Sequence, residues 1–85
     1  MKVLFIADAF EQYVHWQEHN RSSLTKLNRL IRECQRHPFE GTGKPEPLKG
    51  DYSGWWSRRI DRVQRVVYRC EGDTLIIVQC RYHYE

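Results

Sequence analysis

A histidine, the side chain that titrates nearest to neutral pH, stands at the exit of an apolar strand near the carboxyl end of the chain. His83 lies between Tyr82 and Tyr84, and the preceding apolar run Leu75–Val78 is too short for anything but a strand. A carboxylate, Glu46, lies between two prolines that restrict its backbone. With cations beside them, such groups are the parts needed to break a phosphodiester without a metal. A dense arginine set could supply the cations: Arg58, Arg59, Arg62, Arg65 and Arg69.

RNA suits these groups because its 2′-hydroxyl is a built-in nucleophile. Cleavage needs a base to take the hydroxyl proton, cations to hold the charge on the phosphorane, and an acid for the departing 5′-oxygen. Glu46, the arginines and His83 fit these three tasks. Simpler interpretations stay open at this point, since Glu46 could be an exposed loop carboxylate and His83 an exposed tail histidine.

The distribution of charge points in the same direction. The net charge is only +3, which by itself decides little. Basic groups outnumber acidic ones between residues 44 and 69, and aromatic side chains lie among them, which favours nucleic acid as a ligand. Trp55 is the best candidate for stacking on a base, whereas Trp16 and Trp56 are expected to pack. The basic groups there are the five arginines with Lys44 and Lys49, against the acidic Glu46, Asp51 and Asp61.

Length and composition predict one small cytoplasmic domain covering residues 1–85. A chain of 85 residues has no room for a second domain. Its longest apolar stretch, Val3–Ala7, is far below the roughly 20 residues of a membrane span. Asp8 interrupts that stretch too early for a signal peptide. We therefore expect no membrane contact.

No metal or other cofactor is expected. The cysteines at 34, 70 and 80 are odd in number and lack C-x-x-C spacing, which argues against a disulfide framework and a zinc ribbon. They are predicted to be small apolar fillers. His15 and His19 have the spacing of a two-histidine metal site on a helix, but no third ligand suggests itself, so a solvated helix face is favoured.

Two helices are predicted in the amino-terminal half. They follow a short strand at Val3–Ile6 that should be buried on both faces. Asp8 is the expected cap of the first helix, and Ser22 or Ser23 that of the second. The second helix should end before Pro38, because the residue that precedes a proline is pushed out of the helical region.

The rest of the chain predicts a sheet. Residues 38–54 should be a loop with at most a brief strand near Leu48 and Lys49, followed by strands at 55–60, 64–70 and 74–83. The order is β-α-α-β-β-β(-β), an α+β plan with both helices on one face of a mainly antiparallel sheet. The opposite face is then left for function.

Strand register decides whether the candidate groups meet. If both turns are three-residue loops, Arg59 lies opposite Arg65, and Arg65 opposite Gln79. A two-residue turn at either place would separate the arginines from His83. The predicted functional face holds Arg59, Arg65, Val67, Ile77, Arg81 and His83, and the predicted helix-facing side holds Val66, Tyr68, Ile76, Val78 and Cys80.

Several segments together closely resemble the YoeB (Txe) toxins of the RelE superfamily. The G-K-P-E-P-L-K and R-Y-H-Y runs are specific to that group, and the similarity spans nearly the whole chain. The segments are residues 38–49, 53–60, 65–68 and 80–84, with the earlier Tyr13-x-x-Trp16-Gln17.

The resemblance implies a RelE-like, microbial-ribonuclease-like fold and a toxin that cleaves mRNA in the ribosomal A site. By position in the family pattern, Glu46 would be the general base and His83 the general acid, while Arg65 would stabilise the phosphate charge. Arg59 and Lys49 would contact phosphate. Tyr84 would shape the site around His83. The products would be a 2′,3′-cyclic phosphate and a 5′-hydroxyl, formed without a metal.

The resemblance also implies partners: the ribosome, its bound mRNA and an acidic YefM-like (Axe-like) antitoxin whose disordered tail wraps the toxin, with a homodimer as the expected assembly. A basic cleft suits an acidic disordered segment. Two other classes of function stay open. One is a non-catalytic RNA- or ribosome-binding module that blocks translation, and the other is a pure protein-interaction domain.

Overall fold

Two helices pack against a five-stranded mixed sheet in the computed structural model, which describes residues 1–82. The sheet order is β1-β5-β4-β3-β2. The predicted α+β class, with both helices on one face of the sheet, is confirmed. The elements are β1 (Lys2–Phe5), α1 (Ala9–His19), α2 (Arg21–Arg36), β2 (Glu46–Pro47), a 3₁₀ turn (Gly50–Tyr52), β3 (Trp56–Arg59), β4 (Arg65–Glu71) and β5 (Thr74–Gln79).

The first strand lies at the edge of the sheet. β1 pairs in parallel with β5 alone, starting with Lys2 opposite Thr74. Its burial alternates along the strand, and Leu4 exposes 48% of its surface. The prediction of a strand at Val3–Ile6 buried on both faces is therefore wrong. A continuous apolar run indicated a central strand, but the helices cover only one face of this one.

The two helices follow each other almost without a linker. Asp8 precedes α1 as predicted, although its side chain makes no capping hydrogen bond. The cap of α2 is Asn20, whose Oδ1 accepts hydrogen bonds from the backbone N–H of Ser23 at 3.1 Å and from the Ser22 hydroxyl at 3.0 Å. Ser22 and Ser23 therefore donate to the cap instead of forming it, which corrects the prediction. α2 ends at Arg36, before Pro38, as expected.

The core lies between the helices and the sheet. Trp16 is a packing residue as predicted, and its indole N–H donates to the Cys80 carbonyl at 2.8 Å. Cys34 and Cys80 are buried fillers, and burial raises the pKa of the two thiols to about 11 and about 12. All three cysteines are free. No helix within residues 1–82 is long and apolar enough to cross a membrane.

The two hairpins of the sheet differ in their turns. Between β3 and β4 a three-residue loop places Arg59 opposite Arg65, as predicted, with the Ile60 N–H donating to the Gln64 carbonyl at 2.9 Å. Between β4 and β5 the turn has only two residues, because Glu71 pairs with Thr74. A β-bulge then shifts the β4–β5 register between Val67 and Tyr68.

The short turn and the bulge change the predicted faces of β5. Tyr68 pairs with Ile77, so Leu75 and Ile77 face the helices and belong to the core. The prediction that Ile76 and Val78 face the helices is wrong, and so is the pairing of Arg65 with Gln79. Beyond the bulge Val67 pairs with Gln79. The bulge thus compensates for the short turn, because it returns Gln79 to the face that carries Val67 and Arg65.

Candidate functional site

Glu46 begins a row of side chains that crosses four strands. It lies opposite Ser57, which lies opposite Val67, which lies opposite Gln79. Directly opposite residues share a face, and this face is the one turned away from the helices. Strand geometry separates the Cα atoms of Glu46 and Arg59 by roughly 8 Å, and those of Glu46 and Arg65 by roughly 12 Å. A phosphate group and its two ester oxygens fit between a carboxylate and guanidiniums at such separations.

The turn between β3 and β4 holds the Arg65 side chain in place. Its guanidinium donates to the carbonyls of Asp61 at 2.9 Å, Gln64 at 3.0 Å and Arg62 at 3.2 Å. The Asp61 carboxylate in turn accepts the backbone N–H groups of Val63 and Gln64. Arg65 exposes only 7% of its surface. These three hydrogen bonds account for three of the five N–H donors of the guanidinium.

The carboxyl-terminal segment is fastened beside Arg65. The Arg65 backbone N–H donates to the Tyr82 carbonyl at 3.0 Å, and the Tyr82 N–H donates to the Gln64 side-chain oxygen. The Arg81 guanidinium lies over the Tyr82 ring, 4.5 Å from its centroid. The chain up to Tyr82 is therefore tied to the end of β4 that carries Arg65. The predicted site residues His83 and Tyr84 lie outside the described residues, and their roles stay predictions.

Trp55 and Lys49 lie on either side of the 3₁₀ turn that follows β2. Lys49 is exposed and Trp55 is half-buried. Trp56 packs against the core, so strand alternation puts Trp55 on the face of Arg59. The Arg69 guanidinium covers the Trp55 ring at 4.8 Å from its centroid. The face of the sheet turned away from the helices therefore carries Arg59, Arg65 and the contacting pair Arg69 and Trp55. It is called the arginine face below.

Arg58 does not belong to this face, which corrects the prediction of one arginine set facing an anion. It is fully buried on the helix side of β3. Because strand side chains alternate between faces, the sequence places Arg58 on the side of Trp56 and Ile60 and Arg59 on the opposite side. Its guanidinium donates to the Tyr68 hydroxyl (3.1 Å), a Glu33 carboxylate oxygen (2.9 Å) and the carbonyls of Thr42 (3.3 Å), Glu40 (2.7 Å) and His37.

Two histidines pair on α1. The rings of His15 and His19 lie 4.5 Å apart. Partial desolvation lowers the pKa of His15, and the positive charges of Arg81 and His19 act in the same direction. Within residues 1–82, no group of three or more His, Cys, Asp and Glu side chains is placed to hold a metal ion.

Comparison with known proteins assigns the family. Residues 5–84 match the profile described as the YoeB-like toxin of bacterial type II toxin-antitoxin system. Toxin YoeB of Streptomyces coelicolor is 55% identical over 84 residues, which cover 99% of this chain and 100% of that protein.

Solved structures agree with that assignment. The YoeB/ParE toxin from Agrobacterium tumefaciens superposes with a TM-score of 0.93 at 46% identity, covering 99% of this chain and 100% of the other. A heterotetrameric YoeB–YefM toxin–antitoxin complex from Staphylococcus aureus contains a chain with a TM-score of 0.91 at 36% identity, covering 99% of this chain and 98% of that one. This chain therefore belongs to the YoeB-like toxins of bacterial type II toxin–antitoxin systems.

Proposed function

We propose that this protein is an endoribonuclease that cleaves mRNA in the ribosomal A site and so inhibits translation in the cytoplasm, with residues 1–85 forming one toxin domain. The main support is the shared sheet face of Glu46, Arg59 and Arg65, to which the end of the chain is tied at Tyr82. A carboxylate, two guanidinium side chains and the start of the segment that carries His83 thus belong to one face of the sheet. Membership in a toxin family agrees with this activity.

The proposed reaction needs no metal. Glu46 takes the proton of the 2′-hydroxyl, and the 2′-oxygen attacks the adjacent phosphorus. Arg65 and Arg59 stabilise the negative charge that develops on the non-bridging oxygens. The bond to the 5′-oxygen breaks as His83 donates a proton to it. The products are a 2′,3′-cyclic phosphate and a 5′-hydroxyl, so atoms and protons balance without any further reactant.

The remaining predicted residues position the RNA. Lys49 is exposed next to β2 and would contact a phosphate. Trp55 would stack on a base, and its contact with Arg69 supports such a role because nucleic-acid sites combine aromatic rings with cations. Tyr84 would shape the site around His83.

The proposed partners follow from charge and from family membership. A basic surface suits both ribosomal RNA and the acidic tail of a YefM-like (Axe-like) antitoxin. The Staphylococcus aureus relative forms a heterotetramer with YefM. We therefore propose a YefM-like partner and a homodimer for this chain.

Cleavage assays on programmed ribosomes test the proposal against a non-catalytic blocking module. Wild type, Glu46→Gln and His83→Ala are compared for mRNA cleavage, mapped by primer extension, and for ribosome binding. Loss of cleavage with retained binding in both variants is the expected result. Equal translation block by all three proteins, without any cut transcript, would support the binding module. Glu18→Gln, which removes an exposed carboxylate from α1 on the helix side of the sheet, is the matched control.

A further inference from the structure

The buried Arg58 side chain fastens the loop that leads to Glu46. Its two terminal nitrogens donate to the carbonyls of His37, Glu40 and Thr42, three points along one irregular segment. Its Nε donates to the Tyr68 hydroxyl on β4. A single side chain thus ties residues 37–42 to the middle of the sheet through three backbone carbonyls and the Tyr68 hydroxyl.

Glu33 on α2 completes the fastening from the helix side. One carboxylate oxygen accepts the backbone N–H of Thr42 at 2.6 Å and Arg58 Nη1 at 2.9 Å, and the other accepts the Thr42 hydroxyl at 2.9 Å. Gly41 allows this approach, because a Cβ there would lie 1.7 Å from the Glu33 oxygen. Its φ of +124° also favours glycine.

Glu46 depends on this loop because its own strand is short. β2 has two residues, and the adjoining ties to β3 are the Arg59 N–H to the Gly43 carbonyl at 2.6 Å and the Leu48 N–H to the Trp55 carbonyl at 2.9 Å. Arg58 lies between Ser57, the cross-strand partner of Glu46, and Arg59, the partner of Gly43. Glu46 and the loop are thus held by Ser57 and Arg59, the two residues that flank Arg58 on β3.

We propose that Arg58 and Glu33 are positioning residues for Glu46: through the 37–43 loop they set where the base lies relative to the arginine face. This inference rests on the proposed ribonuclease function. Arg58 lies on the helix side of the sheet, opposite to the face of Arg59 and Arg65, so its side chain does not itself contact the RNA. A misplacement of a base by about 1 Å can lower a rate on the order of 100-fold.

Single-turnover cleavage on programmed ribosomes, with toxin in excess, tests the inference. Glu33→Gln and Arg58→Lys should lower the rate at saturating toxin by about 10- to 100-fold, with the half-saturating toxin concentration unchanged. In a Glu46→Gln background neither change should lower the residual rate further, because the group they position is gone. Glu18→Gln, the same substitution at an exposed glutamate of α1, should cleave at the wild-type rate.

A second pair of variants keeps the test decisive if Arg58→Lys does not fold. Gly41→Ala should mimic Glu33→Gln, because its methyl group displaces the carboxylate, while Gly72→Ala is the control at a positive φ with no atom within 4 Å. Full activity of Glu33→Gln and Gly41→Ala in a cleaving wild type would overturn the inference alone. The inference alone would also be overturned if the loss of cleavage rate in Glu33→Gln or Arg58→Lys added fully to the loss in Glu46→Gln, because the two residues would then act independently of Glu46. A wild type that cuts no RNA would overturn the proposed function and the inference with it.

Discussion

Arg59 lies directly opposite Arg65 on the antiparallel pair formed by β3 and β4. Like charges at directly opposite positions destabilise a sheet, by up to about 1 kcal/mol. Arg65 is held by three carbonyl groups of its own turn, and within residues 1–82 neither arginine forms a salt bridge with a carboxylate. The proposed phosphate-binding role accounts for such a pair, because a bound phosphate would reduce the repulsion between the two guanidiniums.

Arg59→Gln should consequently stabilise the free protein and weaken RNA binding. We expect a gain of a few tenths to about 1 kcal/mol in the free energy of unfolding at low salt, measured by urea denaturation. RNA affinity should fall, and the slope of log affinity against log salt should decrease by roughly 1. Arg29→Gln removes an equal charge from the exposed side of α2 and is the control. Equal effects of the two substitutions would contradict the anion site.

Tyr68→Phe should destabilise the fold more than an ordinary tyrosine substitution. The Tyr68 hydroxyl donates to the Pro38 carbonyl at 2.6 Å and accepts from Arg58 Nε at 3.1 Å, and burial raises its pKa. Removing it leaves a buried charged donor without its acceptor, which costs about 1–3 kcal/mol. Tyr13→Phe removes one partly buried hydrogen bond to Asn28 and should cost about 1 kcal/mol or less. Guanidinium denaturation of both variants distinguishes the two cases, and equal losses would contradict the role given to Tyr68.

Glu33 should make the stability of the protein sensitive to acid. Hydrogen bonds from Thr42, followed by that from Arg58, hold the pKa of the Glu33 carboxyl below its usual range. A depressed pKa means that this contribution is fully present above the unfolded-state value of about 4.3 and is lost as pH falls through the folded value. Urea midpoints of wild type and Glu33→Gln should therefore differ at pH 7 and converge toward pH 3. A constant difference across that range would show that the carboxylate charge is irrelevant.

Thiol reactivity should be confined to one cysteine. Burial raises the pKa of all three thiols, to about 11 for Cys34 and about 12 for Cys80, but Cys70 is only partly buried. At pH 8 a chromogenic disulfide reagent should modify Cys70 first and reach the other two only after denaturant is added. Cys70→Ser should abolish the rapid phase. A rapid phase that persists in Cys70→Ser would contradict the buried placement of the other two.

Local patterns in the sequence predicted the helices, the α+β order and the β3–β4 register, because each depends on a few adjacent residues. The β4–β5 hairpin shows the limit. Gly72 and Asp73 form a two-residue turn, which moves the side chains of β5 to the faces opposite to those predicted. A β-bulge opposite Val67 and Tyr68 restores the predicted face from Gln79 onward. Neither feature is visible in the alternation of an almost uniformly apolar strand such as Leu75–Val78, since both faces offer a similar residue at every position.

The other wrong predictions concern residues whose placement depends on tertiary contacts. Arg58 belongs to the core because Glu33 and three loop carbonyls, all distant in sequence, satisfy its guanidinium. β1 lies at an edge because the two helices carry the chain to β2 at the opposite edge of the sheet, and the meander that follows ends with β5 beside β1. Asn20 is the cap of α2 because α1 ends directly before it, which leaves no room for a break of several residues.

The chemistry at the end of a cut transcript tests the central claim most directly. Wild-type protein is added to ribosomes that carry a defined mRNA, and the new ends are identified by mass spectrometry and by ligation that requires a specific end group. The account predicts a 2′,3′-cyclic phosphate on one fragment and a 5′-hydroxyl on the other, with neither formed by Glu46→Gln. Fragments that carry a 5′-phosphate, or full cleavage by Glu46→Gln, would contradict it.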